Sequence, residues 1–105
     1  MILALALSPD GKTLATGSYD QKIKLWSVTD GTERKTLSGH NGAVFALAFR
    51  PDGKLLASAS ADRTVKLWDV ASGERRDTLS QPTKEQFAVA WSADGKRLAA
   101  AGAGR

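Results

Sequence analysis

The stretch PDGKLLASASADRTVKLWD at residues 51–69 is repeated, with 11 of 19 residues identical, at residues 9–27 as PDGKTLATGSYDQKIKLWS. Its opening triplet returns a third time as Asp94-Gly95-Lys96. The Asp-Gly-Lys triplets begin at positions 10, 52 and 94, and Trp26 and Trp68 keep the same step of 42 residues. Laid without gaps on residues 43–84, residues 1–42 agree at 20 of 42 positions, so the likeness is a true internal repeat and not a shared composition. A fixed period of this size marks one supersecondary unit copied along the chain. The expected organisation is two whole units, 1–42 and 43–84, and a half unit, 85–105.

The second unit is the complete copy. Val44-Phe45-Ala46-Leu47-Ala48-Phe49 is an apolar run of strand length with no polar alternation, which predicts a strand buried on both faces. Arg50-Pro51-Asp52-Gly53-Lys54 is a turn: proline presets one corner, aspartate bonds nearby amides and glycine supplies positive φ. Leu55–Ser60 reads as a second strand, and Ala61-Asp62-Arg63 turns the chain again. Thr64–Asp69 alternates polar and apolar residues and predicts a strand with one dry and one wet face. After the turn Ala71–Glu74, Arg75–Leu79 is a charged fourth strand, suited to an outer edge. No stretch carries a helical period of comparable length. The chain is therefore expected to be all-β, each unit a four-stranded antiparallel meander whose repetition describes blades around an axis.

The bulk composition narrows the classes that fit. Hydrophobic residues make up 42% and charged residues 25%, the balance of a globular chain and not of a disordered one. The absence of cysteine excludes disulfide frameworks and thiolate metal sites, and a single histidine cannot build a histidine-rich one, so neither metal nor cofactor is expected. The apolar start, Ile2–Leu7, has no basic residues before it and is copied mid-chain as 44–49; it reads as a strand, not a targeting segment. Nothing has the length of a membrane span, and the expected location is cytoplasmic. A net charge of +4 raises a nucleic-acid partner as an alternative, disfavoured because the positive residues are spread through equivalent turns.

Gly39-His40, Leu56-Ala57-Ser58-Ala59-Ser60-Ala61-Asp62 and Val65-Lys66-Leu67-Trp68-Asp69 resemble the signature of a WD40 repeat. Unit 1 carries Leu14–Asp20 and Ile23-Lys24-Leu25-Trp26-Ser27, with serine where the signature has aspartate; unit 3 carries Trp91–Ala99. The resemblance covers the whole chain and implies the blades of a WD40 β-propeller.

His40, Ser58 and Asp62 are also the residue types of a hydrolytic triad. Ser58 lacks a nucleophile elbow, since no G-x-S-x-G surrounds it, and no catalytic residue is expected. The hairpin about Asp62 brings Ser58 nearer to Trp68 than Ser60, and the indole N–H needs an acceptor. The resemblance implies a Trp68–Ser58–His40–Asp62 chain that stabilises the blade, with Trp26, Thr16 and Asp20 as its counterparts in unit 1. In unit 3, Pro82, Ala100 and Gly104 stand at the positions of His40, Ser58 and Asp62, which removes the chain there.

Propellers close with about four to eight blades. Two and a half units fall short of that, so the chain is expected to be a fragment of a larger propeller, with self-association through open blade faces as the alternative. The resemblance implies a non-enzymatic scaffold that binds protein or peptide partners. In the usual blade topology Tyr19, Gln21, Asn41, Arg63 and Lys84 share one loop-bearing face, and Tyr19 and Arg63 are the better anchors by residue type.

Overall fold

A computed structural model describes residues 2–80 and 86–102. Ten strands follow one another: β1 Ile2–Leu7, β2 Thr13–Ser18, β3 Ile23–Ser27, β4 Glu33–Leu37, β5 Val44–Phe49, β6 Leu55–Ser60, β7 Thr64–Asp69, β8 Arg75–Ser80, β9 Gln86–Trp91 and β10 Leu98–Gly102. They form three antiparallel sheets in the orders β1-β2-β3-β4, β5-β6-β7-β8 and β9-β10. There is no helix among the described residues. The strand bounds expected from the sequence differ by one residue at most in the second unit, where β8 continues through Ser80.

The Asp-Gly-Lys turns owe their repetition to one local geometry. Gly11, Gly53 and Gly95 have φ of 73°, 74° and 74°, the left-handed region that a residue without Cβ enters freely. In each turn the aspartate Oδ1 accepts the lysine amide two residues on, at 2.9, 2.9 and 3.0 Å. The β2–β3 and β6–β7 turns reach the same region without glycine: Gln21 has φ 79° and Arg63 φ 72°.

The sheets stack face to face, with β1, β5 and β9 adjacent from one sheet to the next. Each interface packs apolar side chains of one sheet against apolar side chains of its neighbour. Ala4, Ala6, Ala15, Ile23 and Leu25 of the first sheet meet Val44, Leu47, Leu56 and Trp68 of the second. Ala46, Ala57, Ala59 and Val65 of the second meet Val89, Trp91 and Leu98 of the third. Trp91 adds a directed bond across that interface, its Nε1 donating to the Ala48 carbonyl at 3.0 Å. At Gly17 the approach is so close that a Cβ would stand 2.7 Å from Val44 Cγ1.

Two burial expectations change. Only the middle unit comes near the two dry faces read for the inner strand; in β1, Ile2, Leu5 and Leu7 remain 57%, 64% and 57% exposed. The wet face read for β7 is not wet. Lys66 is only 5% exposed, because the first sheet covers the face that Lys66 shares with Trp68. Its Nζ donates to Thr78 Oγ1 at 3.3 Å. Alternation predicts solvent only for a sheet with one open face, and this sheet is covered on both.

Candidate functional site

Four side chains of the second unit lie end to end. β7 holds Trp68 and β6 holds Ser58, and the Trp68 Nε1–H donates to Ser58 Oγ at 2.8 Å. The connector between β4 and β5 brings His40 in from outside the sheet, its Nε2 2.6 Å from Ser58 Oγ and its Nδ1 2.8 Å from Asp62 Oδ2. The aspartate also accepts the Asn41 amide at 2.9 Å through Oδ2, and the Thr64 amide and hydroxyl at 3.0 and 2.5 Å through Oδ1. The indole can only donate and the carboxylate only accept, which fixes the direction of the chain. His40 therefore carries its proton on Nδ1 and accepts from Ser58 at Nε2.

The electrostatics agree with that tautomer. Burial pushes His40 below its usual 6.5, against the pull of the Asp62 carboxylate. Burial would raise Asp62, but hydrogen bonds from Thr64, Asn41 and His40 outweigh it and hold the group at about 2. A neutral imidazole thus faces an ionised carboxylate near neutral pH.

The order Ser58–His40–Asp62 is that of a charge-relay triad, yet the serine is not presented as a nucleophile. Ser58 is 0% exposed in the middle of β6, and the Trp68 indole donates to the oxygen that would attack. A hydrolytic serine needs an open approach and oxyanion donors beside it. This arrangement can instead tie the β4–β5 connector, the β6–β7 turn and two strands into one hydrogen-bonded body.

Unit 1 contains part of the same set. Trp26 Nε1 donates to Thr16 Oγ1 at 3.0 Å, and Asp20 Oδ1 accepts the Lys22 amide at 3.1 Å. In unit 3, the residues at the positions of His40 and Asp62 lie outside the described residues, as does Lys84. Two partners of the set went unread in the sequence. Thr64 bonds Asp62, and Ser60 Oγ donates to the Gly42 carbonyl at 3.1 Å while accepting the Asp62 amide at 3.1 Å. The signal for both was the spacing Ser-x-Asp-x-Thr around a turn, where short polar side chains bond backbone two residues away.

Tyr19, Gln21, Asn41 and Arg63 are all exposed and stand at one end of the sheets. Tyr19 and Gln21 occupy the β2–β3 turn, Arg63 the β6–β7 turn and Asn41 the connector before β5. The Asn41–Asp62 bond joins the last two segments, and the approach of Gly17 to Val44 brings the first beside them. Tyr19 is 68% exposed. Among the described residues no group of histidine, cysteine, aspartate or glutamate has metal-ligand geometry. No described helix is long and apolar enough to cross a membrane.

Comparison with known proteins places this geometry. The family model described as "WD domain, G-beta repeat" matches residues 1–27 and 31–69, more than half of the chain. The "U3 snoRNP-associated protein-like YAOH" of Oryza sativa subsp. japonica is 46% identical over 43 residues, 41% of this chain and 8% of that protein. Human "Dynein assembly factor with WD repeat domains 1" is 44% identical over 41 residues, 39% of this chain and 10% of that protein. The solved "RRP9 WD40 repeats" superpose with a TM-score of 0.80 at 38% identity, covering 84% of this chain and 27% of that one. The matched stretches thus span about a tenth of the curated relatives and about a quarter of the solved chain.

Proposed function

Because the chain belongs to the WD40 repeat family, we propose that it is a non-enzymatic scaffold whose loop-bearing end binds a protein or peptide. The observation that carries this reading is a division of labour between the two polar sets. His40, Ser58 and Asp62 are spent on one another inside the second unit. Tyr19, Gln21, Asn41 and Arg63 are exposed on turns, and the Asn41–Asp62 bond ties the segments of Asn41 and Arg63 together. Aromatic and arginine side chains on a preorganised surface are the usual anchors of a protein interface. Family membership supports the same class, since WD40 repeats generally serve as interaction scaffolds, and the relatives named above carry assembly and ribonucleoprotein names.

Selection of a displayed peptide library on the protein tests it. A selected peptide should lose at least tenfold in affinity for the Tyr19→Ala/Arg63→Ala protein. It should bind nearly as well at about 200 mM salt as at about 50 mM, whereas a polyanion would lose orders of magnitude over that range. Selected peptides that ignore both substitutions would overturn the assignment of the face. Binding confined to polyanions, with a steep salt slope, would make the basic surface the function instead.

Self-association is a second reading, favoured by the apolar face that Ile2, Leu5 and Leu7 leave bare on β1. Exposed patches of this kind mark interaction sites. Light scattering decides it: a single discrete oligomer supports the reading, and a monomer at working concentration removes it.

A further inference from the structure

We propose that Thr78 is a phosphorylation site and that Lys66 and Arg75 receive the phosphate where it forms. The two whole units carry opposite charges at one place on their outer edge. A step of 42 residues carries Lys24, Glu33 and Thr36 onto Lys66, Arg75 and Thr78. In unit 1 the glutamate is the hub of the three. Lys24 Nζ pairs with its Oε1 at 3.6 Å, and the Thr36 hydroxyl donates to its Oε2 at 2.6 Å. Unit 2 keeps the lysine and the threonine, but a second cation replaces the anion between them.

Lys66, Thr78 and Arg75 share one face of the second sheet. In the β7–β8 ladder Lys66 is opposite Thr78 and Trp68 is opposite Arg75. Directly opposed residues point the same way, and residues two apart on a strand share a face. A Cβ on Gly39 would lie 3.6 Å from Arg75 Nη1, so the guanidinium lies on the side that the β4–β5 connector covers. The Lys66 ammonium donates to Thr78 Oγ1 at 3.3 Å, and this is the oxygen that phosphorylation esterifies. Lys66 is buried, and the Arg75 cation acts on it more strongly than the Asp62 carboxylate does. A phosphate on Oγ1 brings about two negative charges and three acceptor oxygens within reach of both cations. It supplies in unit 2 the anion that Glu33 supplies in unit 1. Asp77 stands on the other face, opposite Leu67, with its Oδ1 on the Thr78 amide.

The sequence Arg75-Arg76-Asp77-Thr78 places guanidinium groups three and two residues before the hydroxyl. A basic-directed kinase holds such groups with carboxylates of its substrate groove, in bidentate pairs that select position as well as charge. Both arginines are exposed and Thr78 is half-buried. Among the described strands β8 pairs with β7 alone, and its register shifts opposite Trp68. An outer strand of this kind is already extended and opens locally at low cost. In the transfer, the bond from Thr78 Oγ1 to the γ-phosphorus of ATP forms as the bond from that phosphorus to the β,γ-bridging oxygen breaks. ADP leaves, and the hydroxyl proton passes to the kinase's base. Thr36 lacks both signals: Glu33 stands where the first arginine would, and its carboxylate would repel a phosphate. The modification does not rest on a partner binding at Tyr19 and Arg63.

The test treats the whole folded protein with ATP and an arginine-directed kinase, the catalytic subunit of the cyclic-AMP-dependent enzyme. Peptide mapping by mass spectrometry should place phosphate on Thr78 and not on Thr36. Arg76→Ala, at an exposed position, should slow incorporation at least tenfold. Reception of the phosphate is read separately by ³¹P resonance. Nearby cations favour the dianion, so the second titration of the phosphothreonine should fall at least about half a unit below its ordinary value near 6. The midpoint should return to that value when the same sample is unfolded in urea, a control that needs no variant. No phosphate on Thr78, or equal incorporation at Thr36, would overturn the site. A midpoint that is the same in the folded and unfolded protein would overturn the roles of Lys66 and Arg75.

Discussion

His40 sets the pH response of the molecule because its pKa in the fold lies below its value in the open chain. The unfolded chain takes up a proton as the pH falls through 6.5, and the buried ring resists it. The stability due to neutral His40 is therefore complete above 6.5 and is lost on acidification, with a slope of at most about 1.4 kcal/mol per pH unit for one proton. Asp62 adds a second loss in a lower window, from 3.8 down to about 2. The expected result is a urea midpoint that is flat from neutral to mildly alkaline pH and declines below 6.5. The His40→Gln protein should be weaker by about 1–3 kcal/mol at neutral pH, since it strands a partner, and should lack the first decline. A decline of equal slope in His40→Gln would assign the titration elsewhere. Lys66 offers a second residue-scale prediction. In unit 1, Lys24 pairs with Glu33 at 3.6 Å; Arg75 takes the glutamate's place in unit 2, so buried Lys66 has a cation beside it. Burial first and Arg75 next lower its pKa. Arg75→Glu is expected to raise stability by about 0.5–1 kcal/mol, less at high salt, measured by urea unfolding at two ionic strengths.

The strands and turns were legible in the sequence because their signals are local. A run of alternating or apolar residues bounded by Asp-Gly carries its own strand and its own turn. The partner of Trp68 was legible for the same reason, since counting back from the Asp62 turn fixes which serine comes near it. Burial was less legible, because it depends on what the neighbouring sheet covers: Lys66 reads as solvent-facing in its own strand and is enclosed only once the first sheet stacks on it. The conformation of the β6–β7 turn was also hidden. No glycine announces the left-handed residue, yet Arg63 adopts φ 72°, a region that costs an L-residue about 1–2 kcal/mol. Arg63→Gly is therefore expected to raise the unfolding free energy by about 0.5–1 kcal/mol, the relief being partly offset by the freer unfolded chain. Arg63→Val should lower it by more, because a β-branched residue fits that region worst. Thermal unfolding of both proteins checks the element, and a stabilising valine would show that the turn does not hold this geometry in solution.

At the scale of the whole molecule the sheets are joined only to their neighbours, so stability is a sum of intrinsic terms and interface terms. The second sheet has an interface on each face, through Trp68 and Leu56 on one side and Ala57, Ala59 and Val65 on the other. The first sheet has one described interface, and its opposite face bears the exposed Ile2, Leu5 and Leu7. Amides of β5, β6 and β7 should therefore be the slowest to exchange, and those of β1 and of the β9–β10 pair the fastest among the strands. Gly17 lets this order be perturbed from one side. Valine there would place its Cβ 2.7 Å from Val44 Cγ1, so the first two sheets must separate to admit it. Such overpacking costs about 1–3 kcal/mol, charged to one interface alone. Gly17→Val is expected to speed exchange throughout β1–β4 while β6, β7 and the Trp91–Ala48 contact keep their protection. A two-state domain would instead lose protection uniformly, every amide reporting the same global free energy. Uniform loss would show that the three sheets unfold as one body, and a loss confined to the first sheet that the blade is the unit of stability as well as of sequence.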